Sequence, residues 1–229
     1  MLKIGGMALE NGVLFQTRTH WAAAVRTPEG DIAAAGGAKR FTRASAGRAA
    51  EGLPLVRGPL RLVDALAVVA QAKSELPQAK LPLQSPIPFG AAVVASLALG
   101  LLRSRKPSRR LAGVVGQEVV AAALALAPAV VALRGSDLAA YHGAEHKSIA
   151  AFEQTLVPAE AAKEHSRCGS NVVVPLLALE ALGSLVVRRL CYRPPAGAYA
   201  VTALLSLAGA FELVRWAGEH PESRAARRL

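Results

Sequence analysis

The chain has 229 residues, is 52% hydrophobic with only 4% aromatics, and carries a formal charge of +11 at a mean hydropathy of +0.32. Its apolar residues are mostly Ala, Leu and Val, which suits lipid-facing helices and argues against a large soluble core built on bulky rings. The basic charge argues against nucleic-acid binding by its placement: Arg103 to Arg110 and Arg188-Arg189 sit beside apolar runs, where such residues set topology, and no recognition motif accompanies them. Two cysteines, Cys168 and Cys191, do not make a disulfide framework, and no secretory signal peptide is visible.

In chain order, residues 1–52 form a segment that is not membrane-like and contains β structure. Gly5-Gly6 and Asn11-Gly12 are turn signals, and Trp21–Val25 and Asp31–Ala35 flank Thr27-Pro28-Glu29-Gly30 as a hairpin. The basic stretch Lys39–Arg48 reads either as a contact to anionic headgroups or as a solvated loop. Residues 53–86 hold a helix over Leu53–Lys73, interfacial or packed against a bundle. Its apolar stripe is Leu55, Pro59, Leu62, Val63, Leu66, Val69 and Ala70. A linker with four prolines follows at Leu76–Pro88.

The predicted fold is mainly α, a polytopic membrane bundle over residues 87–217 with a basic tail at 218–229. Four spans are expected, at Ile87–Leu102, Leu111–Leu133, Val172–Val187 and Ala196–Val214. The basic loops 103–110 and 188–193 lie two spans apart and share one side, which the charge rule makes cytoplasmic. Arg215, Arg224, Arg227 and Arg228 speak against the C-terminus facing the opposite side. Glu118, Glu180 and Glu212 lie within spans, so each should face the bundle interior, either as a proton, metal or substrate contact or as an Arg-paired carboxylate.

Residues 134–171 carry the chemistry. Three of the five histidines, His142, His146 and His165, fall within 24 residues, and Cys168 follows the last. Ser136 or Asp137 caps a helix running to about Gln154, stopped before Pro158. His142 and His146 stand one turn apart on one face of it, the spacing two imidazoles need to hold one Zn2+, and Glu145 makes the pattern H-x-x-E-H. Tyr141 flanks the motif. Glu153, two turns on, is a third ligand or a group that orients one. A second helix is expected over Pro158–Gly169, folding His165 and Cys168 back onto the first. Cys168 is then a fourth ligand or a neighbour, and a thiolate favours Zn2+. His20 and His220 read as surface residues and Cys191 as a thiol at a span end.

These motifs resemble a family. Tyr141-His142-Gly143-Ala144-Glu145-His146-Lys147, followed by His165-Ser166-Arg167-Cys168-Gly169-Ser170-Asn171, is similar to the YqhQ-like bacterial membrane proteins. These form a domain-of-unknown-function family (1385), often labelled predicted metal-dependent enzymes. Gly5-Gly6-Met7-Ala8-Leu9-Glu10-Asn11-Gly12-Val13, Leu55-Val56-Arg57-Gly58 and Phe211-Glu212-Leu213 look like further motifs of it. The resemblance implies a multi-pass protein of the bacterial inner membrane, with a metal site at His142, Glu145, His146, His165 and Cys168. Met7 and Asn11 depart from it, standing where relatives carry Gln and Glu, and the chain ends soon after the last span where relatives continue.

The leading expectation is a membrane-embedded zinc hydrolase, a peptidase by motif analogy. His142, His146 and His165 hold the ion, which lowers the pKa of a bound water toward about 7, and Glu145 takes its proton. The substrate would be a membrane protein or a lipid-linked molecule. The alternatives are a scaffold with a structural metal, or a proton-coupled transporter using Glu118, Glu180 and Glu212.

Overall fold

A two-residue turn at Glu10-Asn11 joins Leu9 to Gly12 and starts an antiparallel meander. In the computed structural model, which describes residues 4–40, 52–104, 111–134, 136–163, 168–191, 194–224 and 226, four strands follow in spatial order. They are β1 (Gly5–Leu9), β2 (Gly12–Gln16), β3 (His20–Arg26) and β4 (Ile32–Ala38). Six helices follow among the described residues: α1 (Arg57–Glu75), α2 (Pro86–Ser104), α3 (Leu111–Arg134), α4 (Leu138–Gln154), α5 (Val173–Leu190) and α6 (Ala196–Glu219). The fold is mainly helical with a small N-terminal sheet, as the composition and spacing predict.

The chain divides into two compact units, one of Met1–Ser45, Asp64–Ala98 and Ala125–His165, the other of Ala46–Val63, Leu99–Leu124 and Ser166–Leu229.

In the first unit, alternation along the strands separates two faces. Leu9, Leu14, Trp21, Ala23 and Val25 share one face and bury against Val68, Ala72, Leu76 and Ala79. The buried stripe of α1 is therefore Val68-Ala72, continued by Leu76 just past its end, with Val69 packed against it, whereas Leu62, Val63 and Leu66 of the expected stripe are exposed. The periodicity is helical in both cases; burial against a sheet selects Val68 and Ala72 over bulkier neighbours. The proline-rich segment is more than a linker. Asn11 donates its side-chain amide to Gln78 O and accepts from Lys80 N, which fixes the segment to the β1–β2 turn. Glu10 accepts from Ser85 Oγ at 2.5 Å.

Gly5-Gly6, expected as a turn, lies in β1 instead. The turn falls at Glu10-Asn11, where the Asn11-Gly12 signal places it to within a residue and Asn11 can bond its side chain to Arg26 O. Lys39 is not at a headgroup surface: it is 3% exposed and donates to Asp64 at 2.6 Å. Arg40 lies 3.8 Å from Glu75. The rest of that basic stretch falls outside the described residues.

α2, α3, α5 with its preceding turn, and α6 are long and apolar enough to cross a membrane, and little of each apolar window is buried. Val94, Leu97, Leu101, Val174, Leu190 and Leu205 point outward, more than half exposed, as lipid contact requires. In the second unit, polar groups within these helices pair. Arg103 donates to Glu180 at 2.9 Å and to Ser184, and lies over the Tyr199 ring. Arg188 donates to Gln117 at 2.6 Å and stands 3.7 Å from Glu118. Glu212 accepts from Arg57 with both oxygens and from Leu55 N. Each in-span glutamate thus faces an arginine, and Arg215, next in chain to Glu212, pairs with Glu219 instead. An intramembrane carboxylate needs such a partner because hydrocarbon offers no other.

Candidate functional site

The helix that carries H-x-x-E-H packs on the second face of the sheet. Ala8 of β1 buries with Ala132 and Leu138, and Tyr141 packs against them. Ser136 Oγ accepts from Leu138 N and donates to Ala132 O, which starts α4. The Asp137 side chain makes no cap bond. Thr155 closes the helix in the left-handed conformation, its N–H bonded to Ala151 O.

One turn of helix brings His142 Nε2 within 3.0 Å of His146 Nε2, with the rings edge to face. The other nitrogen of His146, Nδ1, lies 2.6 Å from Lys163 O. A carbonyl can only accept, so Nδ1 carries the proton and Nε2 of His146 presents a lone pair toward His142. Two nitrogens bound to one Zn2+ at about 2.0–2.1 Å lie a little over 3 Å apart in a tetrahedral site, so the pair fits such an ion. A backbone carbonyl on the distal nitrogen is the usual orienting partner of a metal-bound imidazole. Burial, and then His146, push the His142 imidazole below its ordinary range, which keeps it neutral and able to coordinate.

Glu145 lies on the sheet side of α4. It is 6% exposed, and its carboxyl group fills the space a Cβ on Gly6 would need. It has no hydrogen-bond partner among the described residues. Burial raises its pKa, and His146 offsets part of that rise.

The segment after α4 folds back, but not as the expected helix over Pro158–Gly169. Its described part is a chain of turns: Glu160 N bonds Val157 O, Lys147 donates to Ala159 O, and Ala161 buries against Ala150 and Ala151. Side-chain clamps from α4 replace the helix, and Gly169 opens a 3-10 turn (Gly169–Val172) rather than closing a helix. His165 lies outside the described residues. Cys168 belongs to the second unit, where its Sγ accepts from Ser170 N as cap of that turn. Glu153 stands seven residues beyond His146, about 10 Å along the axis. His20 and His220 are exposed, bonded to Thr19 and stacked on Trp216. Cys191 is an exposed free thiol at the end of α5.

Sequence reasoning did not anticipate Gly6 as the neighbour of Glu145, nor Arg57, Arg103 and Arg188 as partners of the in-span glutamates. No local spacing links residues 139 or 155 positions apart. The one signal was Gly6 and Arg57 both lying in segments that resemble family motifs.

Taken together, the features define a multi-pass membrane protein with an imidazole pair on a sheet-backed helix. Residues 117–229 match the family described as Protein of unknown function (DUF1385), the family the motifs resemble. The match includes both central motifs and Phe211-Glu212-Leu213. No curated protein and no solved structure matches the chain.

Proposed function

We propose that the protein is a metal-dependent hydrolase of the bacterial inner membrane, acting near the bilayer surface. The observation that carries this reading is the His142–His146 pair: two Nε2 atoms 3.0 Å apart, with the far nitrogen of His146 held by Lys163 O. His142 and His146 would hold one ion, Zn2+ by the softness of the donor set. His165 and Cys168 are the further ligands that the second motif supplies on sequence. When bound, Zn2+ supplies Lewis-acid activation of water and of a carbonyl or phosphoryl group. Glu145 serves as the general base, a carboxylate one residue from a ligand and without a competing hydrogen-bond donor. Peptide-bond hydrolysis is the reaction that H-x-x-E-H suits best, by analogy of motif.

Glu145→Gln tests the assignment. A hydrolase loses turnover and keeps both zinc and fold. A scaffold with a structural ion tolerates the change. That second reading draws support from the Arg-paired glutamates of the spans, which tie helices together.

A further inference from the structure

The last two turns of α6 gather charge at a cavity of the second unit. Glu212, Arg215, Trp216 and Glu219 are spaced i, i+3, i+4 and i+7, and together with Gly209 and Arg57 they line a space of about 510 Å3. Two positive and two negative side chains therefore meet one cavity.

Their mutual pairing leaves donors over. Arg57 gives Nε and Nη2 to the Glu212 carboxylate, and Arg215 gives Nε to Glu219 Oε1 at 2.7 Å. A guanidinium offers N–H groups on all three nitrogens. Nη1 of Arg57 and both Nη atoms of Arg215 remain, and among the described residues none has an acceptor. Glu219 Oε2 is the matching spare acceptor.

The cavity also lies where α6 would leave the hydrocarbon. The apolar run of this membrane-length helix stops at Val214, and Trp216 follows as an amphipathic ring of the kind that settles at headgroup level. Leu205 and Val201, four and eight residues before Gly209, continue its stripe and are 60% and 56% exposed.

We propose that this cavity binds the headgroup of a bilayer phospholipid that carries a primary ammonium beside its phosphodiester. The phosphate takes the spare Nη donors of Arg57 and Arg215, the ammonium donates to Glu219 Oε2, and an acyl chain follows Leu205 and Val201. Equal numbers of each charge suit such a zwitterion, whereas Glu212 and Glu219 repel a purely anionic headgroup. A quaternary ammonium has no N–H to give Glu219. The site needs neither the imidazole pair nor a metal.

The test titrates full-length protein in detergent with lipids of identical acyl chains, read by native mass spectrometry. Phosphatidylethanolamine is the probe, phosphatidylglycerol and phosphatidylcholine are the comparison lipids, and glycerophosphoethanolamine is the same headgroup without acyl chains. The probe is expected to bind once per chain, about tenfold tighter than either comparison lipid. Arg215→Gln should weaken it about tenfold, and Glu219→Gln should bring it level with phosphatidylcholine. Arg215 and Glu219 are 40% and 53% exposed, and a surface pair adds little stability, so both variants should keep the wild-type Tm. Equal affinity for the three lipids overturns the proposal, as does unchanged binding in Arg215→Gln. Glycerophosphoethanolamine bound as tightly as the lipid overturns the bilayer as its source.

Discussion

The Glu145 carboxyl group occupies the volume that a Cβ on Gly6 would need. This contact joins the chemical helix to the edge strand, and it assigns a reason to a glycine in the middle of β1. Gly6→Ala should cost about 1–3 kcal/mol through overpacking. Glu145→Ala in the same chain should recover much of that loss, because the two changes share one space. A double-mutant cycle on thermal unfolding reads the coupling; additive effects would show that the residues do not touch.

Burial holds the Glu145 carboxyl above the ordinary glutamate range. The folded state therefore keeps this proton to higher pH than the unfolded chain does. The stability tied to it is full below the unfolded value and is lost as pH rises through the folded one. Glu145→Gln carries no charge to bury. In metal-free protein its Tm should match wild type at acidic pH, where the carboxyl is protonated in both states, and exceed wild type increasingly as pH rises. A constant difference across pH would contradict the burial.

Lys39 and Asp64 form an ion pair inside the first unit, at 3% and 17% side-chain exposure. Lys39→Met should destabilise by about 3–5 kcal/mol, since it leaves a carboxylate facing apolar neighbours. Lys39→Met with Asp64→Leu should restore most of it. Denaturant titration of both variants distinguishes a desolvated pair from a surface one, for which the single change would cost almost nothing.

Glu212 accepts from Leu55 N as well as from Arg57. Glu212→Ala should leave the Leu55 amide exchanging at the rate of open chain, and Glu212→Gln should keep part of its protection. Equal protection in all three proteins would mean that the bond does not hold the segment before α1.

Much of the architecture was legible because lipid and sheet impose periodicities. The four spans announce themselves as apolar runs bounded by Arg103, Arg134 and Arg188, and the α4 boundaries follow from Ser136 and the stop before Pro158. The β3–β4 hairpin was visible from Pro28-Glu29-Gly30, while β1 and β2 were not. Gly5-Gly6 mimics a turn because the same absence of Cβ that permits a turn also permits close approach of Glu145. The stripe of α1 was misassigned because Ala72 is too small to stand out, yet only small residues let a helix lie close to the sheet. Within the site, the His142–His146 pair follows from helix spacing alone. The Lys163 carbonyl does not, since a backbone acceptor leaves no mark in the residue type, and its segment is held by clamps rather than by helical propensity.

Elemental mass spectrometry on detergent-purified protein, wild type beside His142→Ala/His146→Ala, tests the metal site most directly. About one zinc per chain is expected in wild type and near none in the double variant, with a wild-type Tm that falls on chelation as the bound state is removed. Wild-type protein that holds no metal after purification with added zinc, or a double variant that holds as much as wild type, would contradict the account.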